Sequence, residues 1–235
     1  MEGWTLFFDL GGTLLIPARI SARRRIGHIL SLSEKELKPA GRLIMTSSSQ
    51  SPETLAGELA RLLVSKSPFA VLDAVRSVWR EQMDQVRLHP EAVGLIKRLK
   101  ARSFGVGLLS NVWPPVLHGI EAGYPGFLSL FDHRVLSCRL GVKKPAAGIF
   151  EAAVDAAGVH PRQTVMIGDS YELDMAPAVK AGMRTVWVLS RPEAERELLA
   201  RVMRKEEPAP DSAVGDISEL PQVLESLLER KDASI

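Results

Sequence analysis

The chain has 235 residues, of which 46% are hydrophobic and 25% are charged, and its formal net charge is +2. This is the composition of an ordinary globular protein with enough chain for a sizeable core, and so mild a charge does not indicate nucleic-acid binding. The single cysteine, Cys138, excludes an intramolecular disulfide and a multi-cysteine zinc site, and we expect it to be a buried thiol.

The amino-terminal apolar run has no basic start and is interrupted by Asp9, so it does not have the pattern of a signal peptide. No stretch approaches 18 consecutive apolar residues, and no membrane span is expected. We therefore expect a soluble cytoplasmic protein without a membrane or nucleic-acid partner. The five histidines show no metal-ligand spacing and are interpreted as structural: His28, His89, His118, His133 and His160.

Apolar, β-rich runs predict strands at residues 4–9, 104–110, 133–137, 164–168 and 184–189. The region after residue 190 has a mostly helical pattern, with a further strand or turn expected near Val214. Helical patterns lie between the later strands, and such alternation predicts βαβ units and a parallel sheet. The predicted fold class is therefore α/β, with a Rossmann-like core and a central first strand.

The first predicted strand ends at a carboxylate that two glycines follow. Asp9 closes the run Trp4-Thr5-Leu6-Phe7-Phe8 and is followed by Leu10-Gly11-Gly12-Thr13-Leu14. A glycine turn at a strand end allows backbone N–H groups to surround an anion. Gly12 and Thr13 are therefore candidate residues for binding the substrate.

Residues 17–88 carry no convincing strand, and three or four helices are expected there. Ser33 and Glu36 have the spacing of a capping box, while Ser51-Pro52 and Ser67-Pro68 each predict an N-cap followed by a helical proline. We predict that this segment is an α-helical cap domain inserted into a core formed by residues 1–16 and 89–235.

The first half of the predicted cap is basic. Its cations, set against Glu34 and Glu36, are Arg19, Arg23, Arg24, Arg25, Lys35, Lys38 and Arg42. Two interpretations stay open, namely a solvated helix face and an electropositive lid that attracts an anionic substrate.

Further polar motifs follow the later strands. Ser110-Asn111 follows the second strand, and Pro114-Pro115 then begins a helix whose positive end favours an anion. Lys144-Pro145 precedes a helix that is expected to end at Gly158. A lysine at this position can supply positive charge to a bound phosphate.

The fourth predicted strand also ends at a carboxylate, Asp169, and Asp174 lies five residues further on. If this strand is the parallel neighbour of the first, Asp9, Asp169 and Asp174 converge at one carboxyl edge of the sheet. Carboxylate oxygens, together with water and phosphate, suit the coordination preferences of Mg²⁺. The sequence therefore predicts a magnesium and phosphate site at the strand-order reversal.

Four motifs now stand in chain order: Asp9, then Ser110-Asn111, then Lys144-Pro145, and last Gly168-Asp169 with Asp174. Their order and chemistry resemble the motifs of the haloacid dehalogenase (HAD)-like hydrolase superfamily. The resemblance is to the subgroup with a helical cap between the first two motifs, and it covers nearly the whole chain. It implies a hydrolase that depends on Mg²⁺ and acts on a small phosphorylated metabolite. The oligomeric state and the identity of the metabolite are left open.

The resemblance also implies a role for each motif residue. Asp9, Ser110 and Lys144 are the expected catalytic residues, with Asp9 as the nucleophile that forms an aspartyl-phosphate. Lys144 is preferred to Lys143 because it directly precedes Pro145. The expected substrate-binding residues are Gly12, Thr13, Ser110, Asn111 and Lys144. The expected magnesium ligands are Asp9, the Gly11 carbonyl, Asp169 and Asp174.

One position departs from the phosphatase pattern. Two residues after the nucleophile, phosphatases of this superfamily usually have a second aspartate that protonates the leaving group and then activates water, whereas this chain has Gly11. Losing a general acid–base group lowers the rate by a factor of about 10² to 10⁴.

The first hypothesis is therefore a magnesium-dependent phosphatase that is slow or assisted by its substrate. The second is a catalytically weak or inactive relative that binds phosphate or a partner. Dehalogenases of the superfamily resemble the chain around Asp9 but have an aromatic residue in place of Gly11, and they lack the Gly168-Asp169 signature. Phosphonate-cleaving relatives use a lysine of the cap to form a Schiff base. The cap of this chain contains Lys35, Lys38 and Lys66, but none has a flanking pattern that identifies such a lysine. Dehalogenation and phosphonate cleavage are therefore less favoured alternatives.

Overall fold

A computed structural model of the chain describes residues 3–17 and 20–229. Within these residues, six strands form one parallel sheet in the order β3-β2-β1-β4-β5-β6. The strands are β1 (Thr5–Phe8), β2 (Gly105–Ser110), β3 (His133–Leu136), β4 (Thr164–Gly168), β5 (Arg184–Val188) and β6 (Ser212–Val214). The predicted α/β fold class is confirmed, and the strand expected near Val214 is β6.

The central strand is β1, which is buried along its whole length, as expected in a parallel sheet that is covered on both faces. Phe8 is in register with Leu108 of β2 on one side and with Ile167 of β4 on the other. The strand order therefore reverses between β1 and β4. In open α/β sheets, ligands bind in the crevice at the carboxyl ends of the strands at such a reversal.

The helices between β1 and β2 are α1 (Ala22–Ile29), α2 (Glu34–Thr46), α3 (Pro52–Leu62) and α4 (Pro68–Asp84). Those after α4 are α5 (Ala92–Ala101), α6 (Pro114–Gly123), α7 (Ser137–Leu140), α8 (Ala147–Ala157), α9 (Ala176–Lys180), α10 (Arg196–Met203) and α11 (Leu220–Glu229). A single π-helical turn, Tyr171–Met175, precedes α9.

The cap helices begin at the positions that the serines indicate. The Ser33 N–H donates to the Glu36 carboxylate at 2.9 Å at the start of α2, and the Ser51 hydroxyl accepts the Thr54 N–H at 3.2 Å at the start of α3. Each contact satisfies a polar group that the helix end would otherwise leave unpaired. The helical cap is thus present, and its boundaries at residues 17 and 88 stay a prediction.

The hydrophobic cluster of the cap also includes Trp113 of the core, and the cap contacts the core at several places. Trp79 of α4 packs edge-on against Trp113 of the core, with ring centroids 5.6 Å apart. The two segments that connect the core to the cap lie side by side. They are held together because the Ile16 N–H donates to the Arg87 carbonyl and the His89 N–H donates to the Leu14 carbonyl.

Two minor expectations can be compared with this fold. Cys138 is buried, as expected for an inert thiol. Among the described residues, no helix is both long and apolar enough to cross a membrane. The cytoplasmic location stays a prediction.

Candidate active site at the carboxyl edge of the sheet

Three carboxylates converge where the strand order reverses. Asp9 directly follows β1, Asp169 directly follows β4, and Asp174 lies in the π-helical turn after them. One oxygen from each side chain lies within 4.8 Å of the others, and all three residues are buried. Such a spacing allows a single small cation to contact more than one of them.

The sequence around β4 explains how Asp174 reaches this cluster. Its Oδ2 accepts the Ser170 N–H at 3.1 Å, which fixes the carboxylate at the start of the turn. A Cβ on Gly168 would overlap that carboxylate, so a larger residue at the end of β4 would displace it. Gly168 is therefore needed for space.

Lys144 lies between two of the carboxylates. Its Nζ donates to Asp9 Oδ1 at 2.8 Å and to Asp174 Oδ1 at 2.5 Å, and only 2% of its side chain is exposed. Burial lowers the pKa of a lysine, but the charges of Asp174 and Asp9 outweigh it and raise the Lys144 pKa above its ordinary value. The ammonium is therefore charged at neutral pH. Lys143, the competing candidate, lines a neighbouring cleft.

The loop that carries Lys144 is held by Asn111, which follows β2. The Asn111 Oδ1 accepts the backbone N–H of Lys144 at 2.7 Å, and its Nδ2 donates to the Lys144 carbonyl at 3.0 Å. Both bonds fix the backbone of Lys144. Asn111 thus has a positioning contact in addition to its predicted role in substrate binding.

The glycine turn after β1 differs from the predicted anion cradle in one respect. The Gly12 N–H donates to the Leu15 carbonyl at 2.9 Å and the Thr13 N–H to the Leu10 carbonyl at 3.3 Å, so both N–H groups are engaged within the loop. The turn is stabilised by itself, and these two groups are not open to an anion.

The side chains of the turn remain compatible with a ligand. The Thr13 Oγ1 is buried and has no hydrogen-bond partner among the described residues. Gly12 has a φ of +79°, and a Cβ there would overlap the Asp169 carboxylate, so glycine is required. The buried Ser110 ends β2 at the same edge of the sheet.

Sequence reasoning did not single out Arg191, which binds Asp169. Its Nε donates to Asp169 Oδ2 at 3.0 Å, and its Nη2 contacts the same oxygen. Burial and the charge of Asp9 raise the pKa of Asp169 to about 6, against the opposing effect of Arg191. Arg191 lies just after β5, so the rule that ligands gather at strand ends also points to this loop.

The donor set fits a magnesium ion. Three carboxylates face two cations, Lys144 and Arg191, so the cluster has one more carboxylate than it has cations. Hard carboxylate oxygens at this separation are the ligands that Mg²⁺ prefers. A divalent cation would relieve the repulsion among them.

A cavity of about 1000 Å³ lies between this edge and the cap. Gly11 and Ser110 line it on the core side, and Arg23 and Arg24 line it from α1. Trp113 also lines it, and the buried indole N–H of Trp113 has no acceptor among the described residues. The carboxylates themselves do not line this cavity, but Gly11, Ser110 and Arg191 do, so it lies beside the site and contains positive charge and an unused donor.

Comparisons with known proteins found relatives that are phosphatases. The chain is 28% identical over 242 residues to a glyceraldehyde 3-phosphate phosphatase of Pyrococcus furiosus. The aligned region covers 97% of this chain and 94% of that protein. It is 32% identical over 135 residues to a phosphoserine phosphatase of Thermus thermophilus, covering 57% of this chain and 49% of that protein.

Among solved structures, a 2-haloacid dehalogenase from Pseudomonas syringae superposes with a TM-score of 0.63 at 20% identity, covering 96% of this chain and 99% of the other. At this identity the likeness shows a shared fold. The model of the haloacid dehalogenase-like hydrolase family matches residues 5–182, which span β1 to the end of α9 and include every carboxylate of the site. The chain therefore belongs to the haloacid dehalogenase-like hydrolases.

Proposed function

We propose that this hydrolase is a Mg²⁺-dependent phosphatase that acts on a small organic phosphate through an aspartyl-phosphate at Asp9. The observation that carries the proposal is the buried convergence of Asp9, Asp169 and Asp174, with Lys144 bound to the first and the last of them. The phosphatases among the relatives support the same chemistry.

The ion would be held by Asp9, Asp169, Asp174 and the carbonyl of Gly11. When bound, it supplies positive charge to the oxygens of the phosphoryl group that is being transferred. Lys144 supplies a second, fixed positive charge to the same place, because its Nζ already contacts Asp9.

In the first step an oxygen of Asp9 attacks phosphorus, and the bond from phosphorus to the leaving oxygen breaks with its electron pair on that oxygen. In the second step water attacks the phosphorus of the aspartyl-phosphate, which releases inorganic phosphate and restores the Asp9 carboxylate. The hydroxyls of Thr13 and Ser110 are the proposed donors to the phosphoryl oxygens, since Thr13 Oγ1 has no other partner in the described residues.

Gly11 decides how the leaving oxygen receives its proton. A glycine cannot donate one, so departure relies on the acidity of the leaving group or on an ordered water. The proposed enzyme is therefore most active on esters of acidic alcohols and on acyl phosphates.

The test is release of phosphate from an activated aryl phosphate with and without Mg²⁺. We expect turnover that EDTA abolishes and that Asp9→Asn reduces below detection, because the amide has nearly the same shape but is a poor nucleophile. Circular dichroism on the variant controls for folding.

Undiminished turnover by Asp9→Asn would remove Asp9 from the mechanism. Inactive wild-type protein with Mg²⁺ bound would favour the alternative, a phosphate-binding protein without turnover, which the absence of an acid at Gly11 already suggests.

A further inference from the structure

A second cleft of about 890 Å³ lies beside the site at the boundary of cap and core. Its cap side is formed by α1 and α2, and its core side by the loop that carries Lys144. The basic residues that line it are Arg23, Lys38, Arg42, Lys143 and Lys144. None of its lining residues is acidic, and all of them belong to the described part of the chain.

Three of these cations come from different segments and meet in the cleft, and we call them the basic triad: Arg23 of α1, Arg42 of α2 and Lys143 of the core loop. Arg23 passes over Gly41, where a Cβ would overlap its side chain, so this glycine lets α1 and α2 approach. Burial, and then the charges of Arg23 and Arg42, lower the pKa of Lys143. Lys143 is thus close enough to both arginines for their charges to act on it.

The basic triad has no counter-ion among the residues that the structure describes. Within the ranges that the structure describes, no carboxylate forms an ion pair with Arg23, Arg42 or Lys143, whereas Arg25 of the same cap pairs with Glu81 at 3.0 Å. Arg23 and Arg42 are exposed and Lys143 is half-buried, so water screens their charges in part, and an anion in the cleft would reduce the repulsion that remains. The cleft is therefore suited to bind an anion.

The cleft adjoins the cavity described above. Arg23 and Asn111 line both spaces, and Lys144 lines the cleft while its Nζ contacts Asp9. A ligand with one anionic end near Asp9 can therefore present another anionic group to the basic triad.

We propose that the basic triad binds a second anionic group of the substrate, so that the protein selects phosphate esters that also carry a carboxylate or a second phosphate. This inference rests on the proposed function only for the placement of the first phosphate at Asp9. It favours the electropositive lid over the solvated helix face as the meaning of the basic cap sequence. Arg19, which belongs to that sequence, lies outside the described residues.

The experiment is calorimetric titration of Asp9→Asn protein, which prevents turnover, with two matched esters at fixed ionic strength and saturating Mg²⁺. The ligands are 3-phosphoglycerate and glycerol 3-phosphate, which differ by a carboxylate in place of a hydroxymethyl group. We expect the carboxylate to tighten binding about tenfold or more, the size of one charge-assisted hydrogen bond. Fructose 1,6-bisphosphate against fructose 6-phosphate tests a second phosphate in the same way and shows which anion is preferred.

Arg42→Gln added to the same protein should remove most of this preference while leaving glycerol 3-phosphate affinity within about twofold. Lys143→Gln should act in the same direction. Lys35→Gln is the matched control, since Lys35 is exposed on the same helix, loses the same charge and lies outside the lining of both spaces.

The inference would be overturned if the two esters of each matched pair bound with equal affinity. It would also be overturned if Arg42→Gln reduced the preference for the second anion no more than Lys35→Gln does. Phosphate release by the wild type is measured separately. Turnover without any preference for a second anion would refute the inference and leave the phosphatase intact. A triad-dependent preference without turnover would support the inference and refute the phosphatase.

Discussion

At the scale of single residues, Gly11 stands where the family resemblance leads us to expect an acid–base aspartate. A Cβ at Gly11 would have no heavy atom within 4 Å, and its φ is outside the left-handed region. The backbone therefore does not require glycine here, in contrast to the neighbouring Gly12, whose φ is +79°. The missing carboxylate is a chemical difference that a substitution can reverse.

Gly11→Asp should raise the rate on esters of weakly acidic alcohols by up to about 10², because the new carboxyl group can protonate the leaving oxygen. The measurement is a series of aryl phosphates of graded leaving-group acidity, compared in wild type and variant. The wild type should depend steeply on leaving-group acidity, and the variant less so.

Gly11→Asn is the matched control, because it adds nearly the same shape without an ionisable group. An equal gain from Gly11→Asn would show that shape, and not proton transfer, changes the rate. A flat dependence in the wild type would mean that another group already supplies the proton.

Arg191 provides a second prediction at this scale. Because it donates to Asp169 Oδ2, it competes with a cation for that carboxylate and repels the cation as well. Arg191→Gln should therefore tighten Mg²⁺ binding several-fold in calorimetry, which needs no substrate. Arg196→Gln, which removes an exposed arginine paired with Glu193, should leave the affinity unchanged. Weaker Mg²⁺ binding in Arg191→Gln would show that the arginine supports the site.

At the scale of elements, the site depends on loops being held against strand ends. Neither the loop of Lys144 nor the turn of Asp174 is part of the sheet. The loop is fixed by its two hydrogen bonds with Asn111, and the turn by the bond that the Ser170 N–H donates to Asp174. Well-placed functional groups on loops require such support.

Asn111→Ala removes both hydrogen bonds to the Lys144 backbone. If Asn111 acts mainly through this loop, kcat should fall by about tenfold or more with little change in KM, because a misplaced lysine stabilises the transition state less well. Steady-state kinetics separate the two effects. A rise in KM with kcat unchanged would instead assign Asn111 to substrate binding.

At the scale of the whole molecule, the ion is expected to connect β1 and β4, the two strands between which the chain order reverses. A ligand that binds the folded state alone stabilises it, by about 2.7 kcal/mol at a hundred times its Kd. Mg²⁺ should therefore raise the midpoint of thermal unfolding, and Asp169→Asn should remove most of that increase. Asp132→Asn, at the opposite edge of the sheet before β3, should keep it. An equal response in both variants would place the ion elsewhere.

The sequence predicted much of this arrangement because several of its signals are local. Apolar runs marked the strands, and a carboxylate at the end of two of them marked the site, since parallel strands bring their ends together. The helical cap followed from serine and proline at helix starts.

The remaining features depend on contacts between distant segments. Lys143 meets Arg23 and Arg42 only because the cap folds over the core loop, and Arg191 meets Asp169 only because β5 lies beside β4. The internal hydrogen bond of the Gly12 N–H follows from the conformation of its turn, which the glycine pair does not specify. Periodicity and spacing carry no information on such pairings.

A crystal structure of the protein with Mg²⁺ and beryllium trifluoride, which mimics a phosphoryl group on a carboxylate, tests directly whether Asp9 is the nucleophile. We expect beryllium bound to an Asp9 oxygen, with the ion contacting Asp9 and Asp169 and with Lys144 beside the fluorides. Beryllium fluoride on another residue, or an ion away from these carboxylates, would contradict it.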